Sequence, residues 1–364
     1  NQDKEHLGFN NFLPFDNFII DKTKIECGKE MFLDQRKISV TQLENYFSCP
    51  FKHYLSYGLC LQEKEETTFD GRDIGNICHK ASELFVKEII DGKSFQKEDV
   101  NLFINNHFDE IIEEACLKDK LEIASERESL IRYFKHQLEV VLCDILSELS
   151  KSNFKPLYVE YKLSNITLGI DNKVDISGKI DRIDVCNNYF RIIDYKTGST
   201  GTILKELYHG LKLQLFLYQK IAKKMLNMES AGVFYFNAKY DYSKADEDKT
   251  MLKGIAKNTP DVLENMDKDL SAKGRSSILS LYIDKYGNYK GSVVAKEDLD
   301  VYENYALKVS NEAVEEIASG YIQPKPIEEA CRYCKYRSIC LYENIEGQRK
   351  TIKVENFKDL LKDE

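Results

Sequence analysis

The chain has 364 residues, 42% of them apolar and 11% aromatic, enough for one large domain or two ordinary ones with a full core. Lysine and arginine total 52 against 61 aspartates and glutamates, a formal net charge of −9. This excludes a protein that coats nucleic acid through broad positive charge and leaves room only for a local basic groove. No run of 18 apolar residues occurs, so no membrane span is expected, and NQDKEHLGFN carries neither Met nor a signal pattern, which reads as a fragment of a longer cytoplasmic chain.

Residues 1–37 read as an irregular leader or linker. Ser39 or Thr41 can cap a helix through QLENYFSCPFKHYLSYGL, and a long amphipathic helix is expected from about Asp73 to Ile90. Helical stretches near 97–117 and 125–151 complete an α-rich first half. After Pro156 the pattern turns to strands: LYVEYKLS, then GKIDRIDVCNNYFRIIDYKTGS, a helix over about 202–227, and AGVFYFNAKY. From about 240 to 275, within a segment read as an insertion over 240–300, charge rises and apolar residues thin out, as in a surface insertion or mobile loop. A helix near 296–319 leads to YIQPKPIEEACRYCKYRSIC, and 346–364 reads as a tail. No internal repeat and no GxxxxGK[ST] loop occurs, so no ATP-driven motor is encoded in this stretch.

The hairpin carries the chemistry. Both arms of GKIDRIDVCNNYFRIIDYKTGS are rich in Ile, Val, Tyr and Phe, and Asn187-Asn188 suits the positive φ of a two-residue turn. Counting outward from that turn sets Cys186 against Tyr189, Val185 against Phe190, Ile183 against Ile192 and Asp181 against Asp194, with the outer pairs sharing one face. Opposed carboxylates at that spacing repel unless a cation sits between them, and the period of two puts Lys196 on the same face. The bland alternative is a solvated strand end whose charges happen to align.

His79 falls off the apolar stripe of DIGNICHKASELFVKEII and is either a surface histidine or a neutral imidazole ligand. Glu160, in LYVEYKL, shares a face with neither Val159 nor Tyr161; it is an exposed strand glutamate or a further acidic group at the site. Gln214 and Tyr218 lie four apart in the nearly all-apolar LKLQLFLYQKIA, so they share a helix face and either bond to the sheet or orient Lys196 or substrate. Most of the ten cysteines sit singly, as reduced buried thiols do, among them Cys78, Cys116, Cys143 and Cys186. Cys331, Cys334 and Cys340 instead form C-x2-C-x5-C, a metal-binding spacing. Cys49, before Pro near a helix, is the best fourth ligand, with Cys27 and Cys60 as rivals; spacing alone leaves zinc and iron-sulfur both open.

GKIDRID, DYKTG and QLFLY resemble the RecB-type branch of the PD-(D/E)XK nucleases, and the distant Cys49 with CxxCx5C is similar to the iron-sulfur-stapled nuclease domains of the AddB type. The resemblance covers roughly 38–345. It implies an α/β fold, a restriction-endonuclease-like core with a central mixed sheet flanked by helices, an N-terminal helical region and a cysteine-liganded staple. It also implies Mg²⁺ or Mn²⁺ on His79, Asp181, Asp194 and the carbonyl of Tyr195, catalytic Lys196, a Gln214/Tyr218 pair, and a 4Fe-4S cluster on Cys49, Cys331, Cys334 and Cys340. The implied activity is a DNA exonuclease acting on a single-stranded or unwound end, the 5′-to-3′ strand, with an AddA-like helicase-nuclease as its partner in double-strand break repair. The rival expectations are a catalytically inactive DNA-binding or scaffolding module and a thiol redox protein; the latter needs a CxxC on a βαβ pattern, which this motif lacks.

Overall fold

The computed structural model describes residues 24–34, 37–62, 69–163, 166–198, 203–238, 251–340 and 342. A short helix, α1 (Gly28–Leu33), buries Phe32 and Leu33, so part of the supposed leader is ordered and packed. β1 (Lys37–Ser39) follows, and the Ser39 hydroxyl accepts the Gln42 N–H at 3.1 Å to cap α2 (Val40–Ser48). The single helix expected through Leu59 breaks at Cys49, whose extended backbone is the conformation favoured before proline. α3 (Pro50–His53) and a π-helical turn (Tyr54–Gly58) resume it.

Asp70 opens α4 (Gly71–Ile90) with a capping box closed by Asp73, two residues ahead of the expected start. α5 (Val100–Glu114), α6 (Lys118–Glu122) and α7 (Arg127–Lys151) complete the helical half, with α4, α5 and α7 packed on one another. β2 (Lys155–Lys162), β3 (Thr167–Leu168), β4 (Val174–Ser177), β5 (Lys179–Cys186) and β6 (Tyr189–Lys196) come next. The helix expected over 202–227 is two, α8 (Ile203–Tyr208) and α9 (Gln214–Leu226). Gly210 between them has φ +74°, and a Cβ there would lie 2.3 Å from the Phe47 ring, so the break is built on glycine.

β7 (Glu229–Asn237), β8 (Leu252–Lys257), α10 (Pro260–Met266), α11 (Leu270–Lys273), β9 (Leu281–Ile283), β10 (Tyr289–Gly291), β11 (Val293–Val294), α12 (Lys296–Ala318) and α13 (Arg337–Cys340) finish the chain. The main sheet runs β11-β8-β7-β6-β5-β2, with β6–β7 and β8–β11 parallel and its other pairs antiparallel. Because β8 lies inside that sheet, the 240–300 segment from 251 onward belongs to the fold and is not a loop set on its surface; 240–250 lie outside the described residues. One sheet face packs on α4, α5, α7 and α10 through Phe85, Phe134, Ile193 and Phe234; the other packs on α9, α12 and α2 through Ile183, Phe190, Ile192 and Phe216. No described helix is long and apolar enough to cross a membrane.

Candidate active site

β5 and β6 pair from Cys186–Tyr189 through Ile183–Ile192 to Arg182–Ile193, the register expected from a turn at Asn187-Asn188, where Asn187 has φ 53°. One step further out, at the end of the hairpin away from its turn, stand Asp181 and Asp194. Asp181 Oδ2 accepts the Tyr195 backbone N–H at 2.9 Å and lies 3.3 Å from His79 Nδ1. The His79 ring meets Tyr195 edge to face and bonds to its backbone, bringing imidazole, carboxylate and carbonyl together. Asp194 Oδ2 lies 2.6 Å from Lys196 Nζ, a contact of charge with charge rather than an aligned hydrogen bond, while its Oδ1 accepts from Gln214 Nε2 at 2.8 Å.

Three surrounding elements hold this geometry. α4 packs close at Gly75, where a Cβ would stand 3.1 Å from Oγ1 of Thr197, the residue just past the strand end that carries Lys196. α9 starts at Gln214 itself, so the break after α8 aims that amide at Asp194. Tyr218, one turn on, bonds to Gln214 and lies over Gly178, where a Cβ would be 2.5 Å from its hydroxyl oxygen. Glu160 has φ 47°, left-handed and uncommon for a non-glycine strand residue, between the pairs Val159–Arg182 and Tyr161–Ile180, hence beside Asp181. Its carboxylate takes the Lys179 ammonium at 2.8 Å.

The electrostatics are those of a strained acidic pair. Burial, then the charge of Asp194, pushes the Asp181 carboxyl well above its ordinary range, against the opposing pull of the Tyr195 N–H and Lys196. Burial lowers His79, keeping the imidazole neutral with a lone pair to offer. Burial works to lower Lys196 too, but Asp194 overrides it and the ammonium is held protonated. Among the described residues no three His, Cys, Asp or Glu side chains, the cysteines included, converge to ion-holding distance as they stand; at the hairpin Lys196, Gln214 and the Tyr195 N–H engage the carboxylate oxygens. The donor set of two buried carboxylates, a carbonyl and a neutral imidazole still fits a hard divalent cation in kind, and such an ion would relieve the repulsion that raises Asp181.

Several supporting residues escape a reading of the sequence. Glu44 on α2 accepts the N–H groups of Leu213 at 2.9 Å and Gln214 at 3.2 Å; burial pushes its carboxyl up to about 7, against those N–H groups, Lys212 and Lys196. Behind the hairpin, on the other sheet face, Arg182, Arg191, Glu148 and Asp184 form a charge-balanced cluster with no exposed side chain. Arg182 grips Asp184 with both ends of its fork at 2.7 Å and Glu148 at 2.6 Å, and Arg191 bonds to Asp184 and Glu148. The visible signal in both cases is a glutamate within an apolar stripe: Glu44 among Val40, Leu43 and Phe47, and Glu148 among Val141, Ile145 and Leu149.

The cysteines gather elsewhere. Cys49, Cys331, Cys334 and Cys340 line one cavity with Phe51, Leu55 and Tyr336, whereas Cys27 and Cys60 are exposed and do not line it. Burial raises the Cys331 thiol, and the neighbouring Cys49 and Cys334 raise it further; Cys340 is pushed to about 11, again first by burial. A soft, thiophilic centre is what such a set of thiols fits.

A model of the PD-(D/E)XK nuclease superfamily matches residues 37–341 of this chain. An ATP-dependent helicase/deoxyribonuclease subunit from Thermoanaerobacter sp. (strain X514) is 28% identical over 375 residues, covering 91% of this chain and 32% of that protein. Its counterpart in Clostridioides difficile (strain 630), of the same name, is 27% identical, covering 89% of this chain and 31% of its own length. That of Caldanaerobacter subterraneus subsp. tengcongensis is 30% identical, covering 88% and 31%. The chain therefore spans about a third of the length of the curated relatives it matches.

Proposed function

The chain belongs to the PD-(D/E)XK nuclease superfamily, and on that premise we propose that its hairpin site hydrolyses DNA phosphodiesters on a single-stranded or unwound end, within a larger helicase-nuclease that repairs double-strand breaks. The observation that carries the proposal is the opposed Asp181 and Asp194 at the strand end, with Lys196 on the second carboxylate.

Mg²⁺ or Mn²⁺ held by Asp181, Asp194, His79 and the Tyr195 carbonyl would neutralise the anionic transition state and make water acidic enough to attack near neutral pH. Gln214, steadied by Tyr218, fixes the Asp194 carboxylate so that one oxygen stays turned toward Lys196. Lys196, held protonated, donates: it orients the attacking water and stabilises charge growing on the phosphate. His79 stays neutral, as a ligand must.

The four cysteines that line one cavity support a 4Fe-4S cluster on Cys49, Cys331, Cys334 and Cys340. The names of the relatives support assembly within an ATP-dependent helicase/deoxyribonuclease; the AddA type of the partner and the 5′-to-3′ strand rest on the resemblance of the sequence motifs alone.

The test is digestion of end-labelled single-stranded DNA by this chain in Mg²⁺, then in EDTA, beside Asp194→Ala. We expect Mg²⁺-dependent products that the variant fails to release. Equal rates from Asp194→Ala would overturn the site assignment, and no hydrolysis by the wild-type chain, alone or beside its helicase partner, would leave the fold as a DNA-binding or scaffolding module.

A further inference from the structure

We propose that Glu44 is a positioning residue of the nuclease site: from a separate helix it holds the first turn of α9 and thereby keeps Gln214 on Asp194. The inference rests on the proposed nuclease reading for its kinetic part only.

A helix leaves its first N–H groups without intrahelical partners, and they are usually met by a Ser, Thr, Asp or Asn side chain at the N-cap. α9 has Leu213 there, which offers no side-chain bond. The Glu44 Oε1 supplies it instead, accepting from Leu213 at 2.9 Å and Gln214 at 3.2 Å. Gln214 is both the first residue of α9 and the donor, at 2.8 Å, to Asp194 Oδ1. A shift in the start of the helix therefore moves that amide directly. The break that frees this helix end depends on Gly210 lying under Phe47 of α2, so the helix that carries Glu44 also shapes the break. Lys196 and Lys212 face Glu44 from β6 and from the loop before α9, and Tyr218 and Tyr235 face it from α9 and β7.

The test uses the full chain with Glu44→Ala, Glu44→Gln and Glu44→Asp. Single-stranded DNA cleavage gives kcat and KM, and the Gln214 side-chain amide resonance, assigned by its loss in Gln214→Glu, reports the bond to Asp194 without turnover. We expect Glu44→Ala to lower kcat at least tenfold with KM within twofold, and to move the Gln214 resonance. Glu44→Gln, whose amide oxygen can still accept both N–H groups, should restore kcat to within threefold of wild type. Glu44→Asp keeps the charge but falls short by one methylene, so it should behave like Glu44→Ala, and it decides the matter if the alanine variant does not fold. Wild-type kcat in folded Glu44→Asp, or an unmoved Gln214 resonance, would overturn the proposal. If the wild-type chain cleaves no DNA the nuclease reading fails, while the Gln214 resonance still decides the role of Glu44.

Discussion

Replacing Glu148 by leucine should cost the fold about 4 kcal/mol, within the roughly 3–5 kcal/mol expected when one partner of a buried ion pair is removed. The cluster of Arg182, Arg191, Glu148 and Asp184 is balanced and wholly buried. Burial would raise Asp184, yet the two guanidiniums hold it below its ordinary value, so their attraction outweighs its desolvation. Without Glu148 both arginines share Asp184 alone, and one buried positive charge has no counterion. A loss of this size is a large part of the ~5–15 kcal/mol that holds a typical domain together, and about a thousandfold in the folded ratio. Urea unfolding followed by far-UV circular dichroism measures it; with no tryptophan, the 22 tyrosines supply the fluorescence check.

The control is one residue away. Asp181 precedes Arg182 on β5 but lies on the other face, where burial and Asp194 raise its carboxyl, so Asp181→Ala should leave stability unchanged or increase it. A double variant, Glu148→Met with Arg182→Met, should recover more than half of the loss, because it removes the imbalance as well as the pair. A loss below about 1 kcal/mol for Glu148→Leu, or an equal loss for Asp181→Ala, would refute the reasoning.

Two further predictions concern the helix that carries both Glu44 and, at its end, Cys49. Cys49→Ala should lower the melting temperature and strip iron and acid-labile sulfide from anaerobically purified protein, while Cys27→Ala and Cys60→Ala change neither. A centre tying Cys49 to Cys331 closes a loop of about 280 residues, worth roughly 5 kcal/mol of chain entropy. Zinc without sulfide would sink the iron-sulfur assignment, and a Cys49→Ala variant with unchanged metal and melting would sink the ligand. For pH, Glu44 has an ordinary value of 4.5 and a folded value of about 7, so between these the native state binds more protons than the unfolded one. Its contribution to stability is therefore present below about pH 4.5 and is lost as pH rises through 7. Glu44→Gln should gain stability relative to wild type between about pH 5 and 8, measured by urea midpoints; a difference independent of pH would refute the burial argument.

What the sequence makes legible follows from how local each constraint is. The β5–β6 register depends on two turn residues and the strand period, so a short run of residues is enough to place Asp181, Asp194 and Lys196 together. The positions that define their surroundings depend on contacts distant in sequence. Nothing near residue 210 says that Phe47 lies over Gly210, yet that contact splits the expected helix and delivers the start of α9 to the site. Composition misleads over 240–300 because charge runs high from 240 to 275, whereas β8, only six residues long, gains its place from pairing with β7. The ordered part of the leader is of the same kind: α1 has only six residues, and it stays in place because Gly28 meets Gly320 just past the end of α12, where a Cβ would come within 2.4 Å.

The two glutamates show where a sharper rule lies. A charged residue inside an apolar helical stripe must be matched by an opposite charge or by unpaired backbone donors in whatever the stripe buries against. Glu148 meets two arginines of the hairpin, and Glu44 meets the open end of α9. Glu148 reaches the hairpin from one face of the sheet, and Glu44 reaches the helix end that meets it on the other. One secures the strand behind Asp181, and the other secures the helix end that touches Asp194. The acidic pair is thus held in its repulsive arrangement by two glutamates that reach in from elsewhere in the chain, and a fold that keeps Asp181 above its ordinary range keeps a place where a cation is favoured.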